Sequence, residues 1–169
     1  MILIFFSSLG FSQRSESSDS LKNELKIAAR EIMNSARYCA LITLDKEGNP
    51  GVRTMEPFPP ENDFTVWFGT SPKSRKVSQI KNNPNVTLYY VDSDESGYVA
   101  MHGIAQIVND ESEKEKRWKE EWGAYSQNKS DNYILIKASP TWIEIISYSR
   151  GIVGNATTWD PPVIMFNSK

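Results

Sequence analysis

One stretch, residues 66–90, constrains the fold most because it changes secondary structure twice within a short length. It opens with an apolar run, 66–68, that is typical of a buried strand. Ser71 and Pro72 then predict a helix start, with Ser71 as the N-cap and Pro72 at the first helical position. An Asn-Asn-Pro sequence stops this helix, because the residue before a proline avoids helical angles. The β-rich run 86–91 follows, so a short helix connects two strands.

The charges at this helix start are unusual. Lys73, Arg75 and Lys76 fall in the predicted first turn, where the helix dipole already places partial positive charge and free N–H groups. A bound anion would reverse the repulsion, and the hydroxyls of Ser71 and Ser74 would add donors suited to a phosphate monoester. The alternative is a solvated basic turn whose side chains point away from any ligand. The Ser-Pro cap and the preceding strand favour the anion site.

Composition limits the partners of the chain. It has 169 residues, 39% of them hydrophobic and 24% charged, which predicts one globular domain. A net charge of -2 gives no reason to expect nucleic acid as a partner, so the basic cluster suits a small anion. Cys39 is the only cysteine and His102 the only histidine. We expect Cys39 to be a buried, inert thiol, and His102 lacks metal-ligand spacing, so no metal site is predicted.

The N-terminal segment resembles a signal sequence in part. Residues 1–11 are strongly apolar, too short for a membrane-spanning helix, and lack a preceding Lys or Arg. We expect 1–19 to be a signal-like or disordered segment and 20–169 the folded domain. Export to the periplasm is slightly favoured over a cytoplasmic location. The alternative is a short hydrophobic N-terminus that packs on the domain.

The rest of the chain predicts a mainly β fold. An amphipathic helix is expected over 20–33, after a polar linker over 14–19, and a second helix from Asp110 through Trp122. Strands are predicted at 38–44, 51–55, 64–68, 86–91, 98–108, 132–138 and 141–148. Short hairpin connections between them indicate a small β-barrel with flanking helices rather than a doubly wound α/β fold. The apolar tail that ends the chain is expected to pack on its own domain or on a second subunit.

A strand arginine strengthens the case for an anion. Arg53 lies in the middle of a predicted strand, where a guanidinium is costly unless it reaches water or an anion. If that strand lies beside 64–68, Arg53 converges with the basic helix start, and Trp67, Phe68 and Met55 offer an apolar wall for an aromatic ring. Each aromatic taken alone is better explained as core. The combination predicts a phosphorylated aromatic cofactor such as flavin mononucleotide (FMN) or pyridoxal phosphate, and no lysine is singled out for a Schiff base.

These residues resemble the signature of the pyridoxamine 5'-phosphate oxidase-like flavoproteins, and the similarity is greatest to the general stress protein 26 branch. The resemblance covers residues 32–160. It rests on Val52-Arg53-Thr54-Met55, Trp67-Phe68-Gly69-Thr70, Ser74-Arg75-Lys76, Asn83-Pro84, the strand 98–105, the acidic helix with Trp118, and Trp159-Asp160. It implies a split β-barrel that forms a homodimer with FMN at the subunit interface. It also implies that Arg53, Ser74, Arg75 and Lys76 hold the phosphate, and that Thr54, Met55, Trp67, Phe68, Gly69 and Thr70 line the ribityl chain and ring.

The reaction is less constrained than the fold. Pyridoxamine phosphate oxidases grip substrate with a C-terminal segment that contains Arg and His, whereas this chain has Arg150 and no histidine after His102. That activity is therefore not expected. The first hypothesis is an FMN-dependent oxidoreductase with an unidentified small electron donor or acceptor and no assigned catalytic residue. The alternatives are a non-catalytic flavin carrier or stress sensor, and a haem-binding protein with His102 as axial ligand.

Overall fold

The described part of the chain folds into three α-helices and seven strands. The computed structural model describes residues 9–124 and 133–166. The helices are α1 (Leu9–Ser35), α2 (Arg75–Asn82) and α3 (Glu111–Lys116), with 3₁₀ turns at Glu120–Ala124 and Tyr148–Arg150. The strands are β1 (Cys39–Leu44), β2 (Pro50–Met55), β3 (Val66–Thr70), β4 (Asn85–Val91), β5 (Gly97–Val108), β6 (Ile134–Ser147) and β7 (Val163–Met165).

All seven strands belong to one antiparallel sheet. Its order is β2-β1-β4-β5-β6-β3, and β7 pairs with β6 beside this path. Alternation along each strand gives the sheet a buried inner face and an outer face. The inner face carries the main core, including Leu41, Leu88, Met101 and Ile143. Helix α1 packs on strands β4 to β7 and closes this core with its own apolar stripe.

The outer face consists of two cross-strand rows of mostly apolar side chains. One row runs Val52, Ile42, Thr87, His102, Trp142 and Met165 across β2, β1, β4, β5, β6 and β7. The next runs Thr54, Ala40, Tyr89, Ala100, Glu144 and Val163. Val52 and Met165 are each 62% exposed, and no element of the described chain covers them. We call this surface the outer face below.

The N-terminal helix is longer than the sequence predicted. The linker expected over 14–19 is wrong, because α1 runs without a break from Leu9 to Ser35. Serine and charged residues are compatible with helical backbone, so polarity alone did not mark a boundary there. Leu25, Ala28 and Ile32 are buried as predicted, whereas Leu21 is 58% exposed. Residues 1–8, which carry much of the signal-like pattern, lie outside the described part, and no described helix is long and apolar enough to cross a bilayer.

Two other boundaries differ from the prediction. The helix expected to run from Asp110 to Trp122 ends at Lys116, because Trp118 and Trp122 leave it to pack on Tyr133. The capping interaction itself is present, since Asp110 accepts a hydrogen bond from the Glu113 amide. The strands expected at 132–138 and 141–148 form the single strand β6. The apolar tail packs on its own domain as β7.

Arg30 ties α1 to the irregular loop that follows β2. Its guanidinium donates to the carbonyl oxygens of Pro60, Glu61 and Asn62, each at 3.0 Å. The same group lies 4.3 Å above the ring of Phe64, whose φ of 67° is unusual for a bulky residue. The Arg30 guanidinium therefore satisfies three loop carbonyls, and it also stacks on Phe64, the loop residue in the left-handed conformation.

Replacing Arg30 with methionine should destabilise the fold by about 1–3 kcal/mol, because the apolar stem is retained while three charge-assisted hydrogen bonds are lost. Urea denaturation followed by circular dichroism measures this difference. Lys22→Met on an exposed position of the same helix is the control, expected to change stability by less than about 0.5 kcal/mol. Equal effects of the two substitutions would contradict the role of Arg30 in fixing the loop.

Candidate functional site

Arg53 lies on the inner face of β2, opposite Leu41 of β1. Its guanidinium donates to the Leu41 carbonyl at 3.2 Å, to Thr43 Oγ1 at 2.6 Å and to Gln79 Oε1 at 2.9 Å. Thr43 in turn donates to the same Gln79 oxygen at 2.6 Å. The strand arginine is therefore held half-buried beneath α2 by neutral acceptors alone.

Helix α2 begins later than predicted. Its N-cap is Ser74, in extended conformation, and the proposed cap at Ser71 with Pro72 in the first helical position is wrong. Residues 71–74 instead close a turn in which the Ser74 amide donates to the Ser71 carbonyl at 3.0 Å. Proline suits the second position of such a turn as well as it suits a helix start. Lys73 is consequently an exposed turn residue outside the helix.

Lys76 connects this helix start to the end of β3. Its Nζ donates to Thr70 Oγ1 at 3.1 Å, and the hydroxyls of Thr70 and Ser74 are 3.3 Å apart. Gln79, one turn further along α2, accepts a hydrogen bond from Arg53 on β2. Helix α2 therefore connects β2 and β3, which are the two end strands of the sheet order. β2 and β3 are not hydrogen-bonded neighbours, so it is α2 that brings their site residues together.

Three cations repel one another here, and we call Arg53, Arg75 and Lys76 the cation cluster. Burial, reinforced by the charge of Arg75, lowers the pKa of Arg53. Burial together with the charges of Arg53 and Arg75 lowers the pKa of Lys76. Within residues 9–124 and 133–166, none of the three forms an ion pair with a carboxylate. A site with this charge and no counter-ion among the described residues fits an anionic ligand.

Removing one of these charges should not lower the free energy of unfolding of the ligand-free protein. For Lys76→Met we expect a free energy of unfolding within about 0.5 kcal/mol of wild type or above it, because the folded state disfavours the charged amine. The lowered pKa means that the folded state binds fewer protons than the unfolded state at alkaline pH. The Lys76 contribution to stability therefore rises as pH increases from the lowered pKa towards the unfolded value.

Urea denaturation at neutral and alkaline pH, with the bound ligand first removed, measures both effects of Lys76→Met. Lys81→Met at the exposed end of α2 is the matched control. A large loss of stability in Lys76→Met at neutral pH would mean that Lys76 holds the fold rather than a ligand.

The other predicted ligand-lining residues lie around the cluster in different environments. Thr54 is exposed on the outer face, and Met55 is half-buried at the edge of the main core. Phe68 is fully buried in the main core, whereas Trp67 is buried on the opposite side of β3. These two side chains leave only backbone atoms for a ligand. Gly69 is close to Trp122, whose ring would lie 2.3 Å from a Cβ at that position.

Trp67 belongs to a second, aromatic cluster rather than to an open wall. Its Nε1 donates to Glu61 Oε1 at 2.9 Å, and the guanidinium of Arg117 stacks 3.8 Å above its ring. Tyr133 and Leu135 complete the buried part of this cluster. Trp67 is thus enclosed by protein. This agrees with the expectation that each of these aromatic residues, taken alone, belongs to the core.

Sequence reasoning missed Thr43 and Gln79, which fix the strand arginine. Both are buried polar residues, at 0% and 7% exposure. Gln79 gave no local signal, because it lies two positions after Val77 and one before Ile80, off the apolar face that those two residues form on α2. Thr43 gave no signal, since threonine is common in strands.

His102 lies on the outer face, whereas Arg53 lies on the inner face. Its Nδ1 is 3.1 Å from Thr87 Oγ1, and its ring stacks flat on Trp142 with centroids 3.6 Å apart. Burial lowers the pKa of His102, while Glu144 opposes that shift. The described residues contain no group of His, Cys, Asp and Glu side chains that could hold a metal ion. Cys39 is buried in the core, and burial raises the pKa of its thiol to about 12.

Known proteins share both the sequence pattern and the fold. The family model described as pyridoxamine 5'-phosphate oxidase like matches residues 25–144. General stress protein 26 of Bacillus subtilis (strain 168) is 26% identical over 130 residues, which cover 75% of this chain and 91% of that protein. The crystal structure of general stress protein 26 from Bacillus anthracis str. Sterne is 27% identical, covers 85% of this chain and 99% of its own, and superposes with a TM-score of 0.67.

A more distant structure extends the fold comparison. An FMN-binding, pyridoxamine 5'-phosphate oxidase-related protein from Nostoc punctiforme PCC 73102 is 17% identical, covers 96% of this chain and 100% of its own, and has a TM-score of 0.54. At that identity the likeness concerns the fold alone. Together with the antiparallel sheet described above, these matches confirm the mainly β, split-barrel fold.

Proposed function

Because the chain belongs to the pyridoxamine 5'-phosphate oxidase-like family, we propose that it is an FMN-binding flavoprotein and an oxidoreductase acting on a small molecule. The observation that carries this proposal is the cation cluster, in which Arg53, Arg75 and Lys76 converge without an ion pair to any carboxylate of the described residues. A phosphate monoester carries close to two negative charges at neutral pH. It supplies the counter-charge that the site lacks.

The phosphate end of the ligand is held by charge and by helix geometry. Arg53 approaches from β2, whereas Arg75 and Lys76 come from the first turn of α2, where Lys76 also contacts Thr70 at the end of β3. The Ser74 hydroxyl and the first amides of α2 add hydrogen-bond donors that need no charge. These groups bind and orient the phosphate without taking part in proton transfer.

The ribityl and ring contacts are assigned to residues next to the phosphate site. Thr54 and Met55 directly follow Arg53 on β2, while Gly69 and Thr70 end β3 beside Lys76. Trp67 and Phe68 contribute through backbone atoms, since their side chains are buried. When bound, FMN supplies the hydride or electron transfer, and the protein supplies its orientation and electrostatics. We assign no catalytic acid or base among the side chains.

The outer face supports a homodimer. Large apolar side chains such as Val52, Tyr89 and Met165 are exposed at intervals across it, and apolar surfaces of this kind mark interaction sites. Thr54, predicted to contact FMN, lies in the same surface. A second copy of the chain covering the outer face would bury both the patch and this edge of the flavin site.

Charge introduced on the outer face should separate the subunits. Tyr89→Asp combined with Met165→Asp is expected to convert the dimer to a monomer, because unpaired carboxylates would be buried in the interface. Size-exclusion chromatography with light scattering measures the mass. Glu24→Lys at an exposed position of α1, away from that face, is not expected to change it. A wild-type monomer at micromolar concentration would contradict the proposed dimer.

An absorbance spectrum tests the cofactor directly. Purified protein is mixed with excess FMN, desalted and scanned, and flavin bands are expected to remain at one equivalent per chain. Oxidation of NADH or NADPH by the loaded protein then distinguishes an enzyme from a flavin carrier or sensor, which would hold FMN without turnover. A protein that keeps no flavin after desalting would overturn the flavoprotein proposal.

Haem binding at His102 is the second candidate. The observation that favours it is the contact of Nδ1 with Thr87, which can fix the tautomer and leave Nε2 for a ligand. A haem titration that yields a Soret band in wild type but not in His102→Ala would support it. Pyridoxamine phosphate oxidation is not proposed, since Arg150 is engaged by Glu31 and Asp92.

A further inference from the structure

Glu144 is a carboxylate on an otherwise uncharged part of the outer face. Of the side chains in the two cross-strand rows, it alone is acidic, and none is a lysine or an arginine. The side chain is half-buried and forms no hydrogen bond or ion pair with the residues that the structure describes. A second subunit that covers this face would remove Glu144 from water. A buried carboxylate is costly unless a hydrogen-bond donor meets it.

His102, in the neighbouring row, is a donor whose orientation is already fixed. Its ring stacks flat on Trp142 with centroids 3.6 Å apart, which sets the plane of the imidazole. Thr87 Oγ1 lies 3.1 Å from Nδ1 and can donate to it, which places the proton of a neutral imidazole on Nε2. Within residues 9–124 and 133–166, Nε2 has no hydrogen-bond partner. A carboxylate at Nε2 would therefore receive a hydrogen bond from a neutral histidine.

These two residues occupy opposite corners of a rectangle of four side chains. His102 pairs with Trp142, and Ala100, two residues earlier on β5, pairs with Glu144. Such diagonal positions are about 7–8 Å apart, and the two side chains of one chain form no ion pair. In a two-fold interface, contact of one residue with a second implies the reciprocal contact. An axis in the interface plane that passes near Ala100 and Trp142 would exchange the other two corners.

We propose that two copies of the chain associate through their outer faces, with the Nε2 of each His102 donating a hydrogen bond to the Glu144 carboxylate of the other copy. The inference rests on the homodimer of the proposed function and adds the residue pair that sets its register. Both carboxylates then have a donor, and the apolar side chains around them are buried together. The contact occupies the Nε2 atom that haem ligation requires, so the two assignments of His102 exclude each other.

Disulfide cross-linking between two single variants tests this register. Full-length His102→Cys and Glu144→Cys chains are mixed, allowed to exchange subunits and oxidised with glutathione disulfide. We expect a covalent dimer on a non-reducing gel from the mixture but from neither variant alone, because position 102 faces position 144 and not its own copy. The mixed dimer keeps one His102–Glu144 contact. Cys39 is buried and does not compete, and Ile42→Cys mixed with Glu144→Cys is the control, expected to give no covalent dimer.

The dimer Kd of Glu144→Gln gives an independent test by sedimentation equilibrium. Two charge-assisted hydrogen bonds become neutral ones in each dimer, so we expect the Kd to rise at least about tenfold. A carboxylate buried without a donor predicts the opposite sign, because its removal would lower the Kd. Tyr89→Phe removes a different donor from the same face while retaining the ring, and should leave the Kd within about twofold of wild type.

The outcomes separate the residue pair from the homodimer. Dimeric wild-type protein without a covalent dimer from the mixed cysteine variants would overturn the pair and leave the homodimer and the flavin site intact. A tighter dimer in Glu144→Gln would overturn it in the same way. Monomeric wild-type protein would overturn the pair together with the homodimer, while retention of FMN after desalting would still decide the flavoprotein proposal.

Discussion

Replacing Arg53 and Lys76 together with alanine is expected to lower the affinity for FMN by at least about a hundredfold. Each side chain is assigned a charge-assisted hydrogen bond to the phosphate, and such bonds contribute about 1.5–3 kcal/mol each. Their combined loss is about 3 kcal/mol or more, and each 1.4 kcal/mol is about a tenfold change in Kd. Fluorescence titration measures the affinity, and absorbance after desalting measures retention.

The matched control for that variant is Lys73→Ala combined with Lys81→Ala. It removes the same charge from the same region, but both lysines are exposed and lie outside the cation cluster. Its Kd should stay within about threefold of wild type, since screened surface charges contribute little to binding. If both double variants lose FMN equally, the affinity comes from general positive charge and not from a built phosphate site.

The cation cluster could be predicted from sequence because its members are unusual locally. A charged arginine is rare in the middle of a strand, because burying a charge is costly. Cations are also disfavoured at a helix start, where the helix dipole is positive. Both features therefore pointed to a ligand. The start of α2 could not be fixed in the same way. Proline at 72 satisfies a turn and a helix start equally well, and only the turn closed by Ser71 and Ser74 decides between them.

Nonlocal packing accounts for what sequence reasoning could not assign. Trp67 and Phe68 are adjacent in an apolar strand, but they face different clusters because successive side chains alternate across the sheet. Thr43 reaches Gln79 only because α2 packs over β1. The support that these two residues give Arg53 depends on that tertiary contact, which no periodicity along the chain encodes.

The irregularity in the long strand β6 is visible in the sequence as a change in which positions are apolar and buried. In its first half Ile136 and Ala138 face the main core, whereas in its second half Ile143 and Ile145 do so. The inward positions change from even to odd numbers, and a strand can do this only by inserting an extra residue. The pairing register shifts between His102 and Gly103 to accommodate it. The sequence-based prediction did not use this change of parity and instead placed a break between two strands at Ser139 and Pro140.

Gly103→Ala should therefore be among the most damaging single substitutions, with a loss of about 3 kcal/mol in the free energy of unfolding. Gly103 pairs with Pro140 at the register shift, and a Cβ there would lie 2.2 Å from the Ser139 carbonyl oxygen. This oxygen is backbone in the middle of the sheet, so neither strand can withdraw without breaking the pairing that follows. Proline is tolerated at this point because a bulge removes the need for its missing N–H.

Gly48→Ala separates steric overlap from the cost of backbone conformation. Gly48 has a φ of 85° and nothing within 4 Å of a Cβ, so alanine there should cost only about 1–2 kcal/mol for the left-handed conformation. Urea denaturation of both variants gives the comparison. If Gly103→Ala were the milder of the two, the strands at the register shift would have to be free to move apart. The fixed placement of His102 and Trp142 on the outer face, and with it the surface proposed to bind a second subunit, would then lose its support.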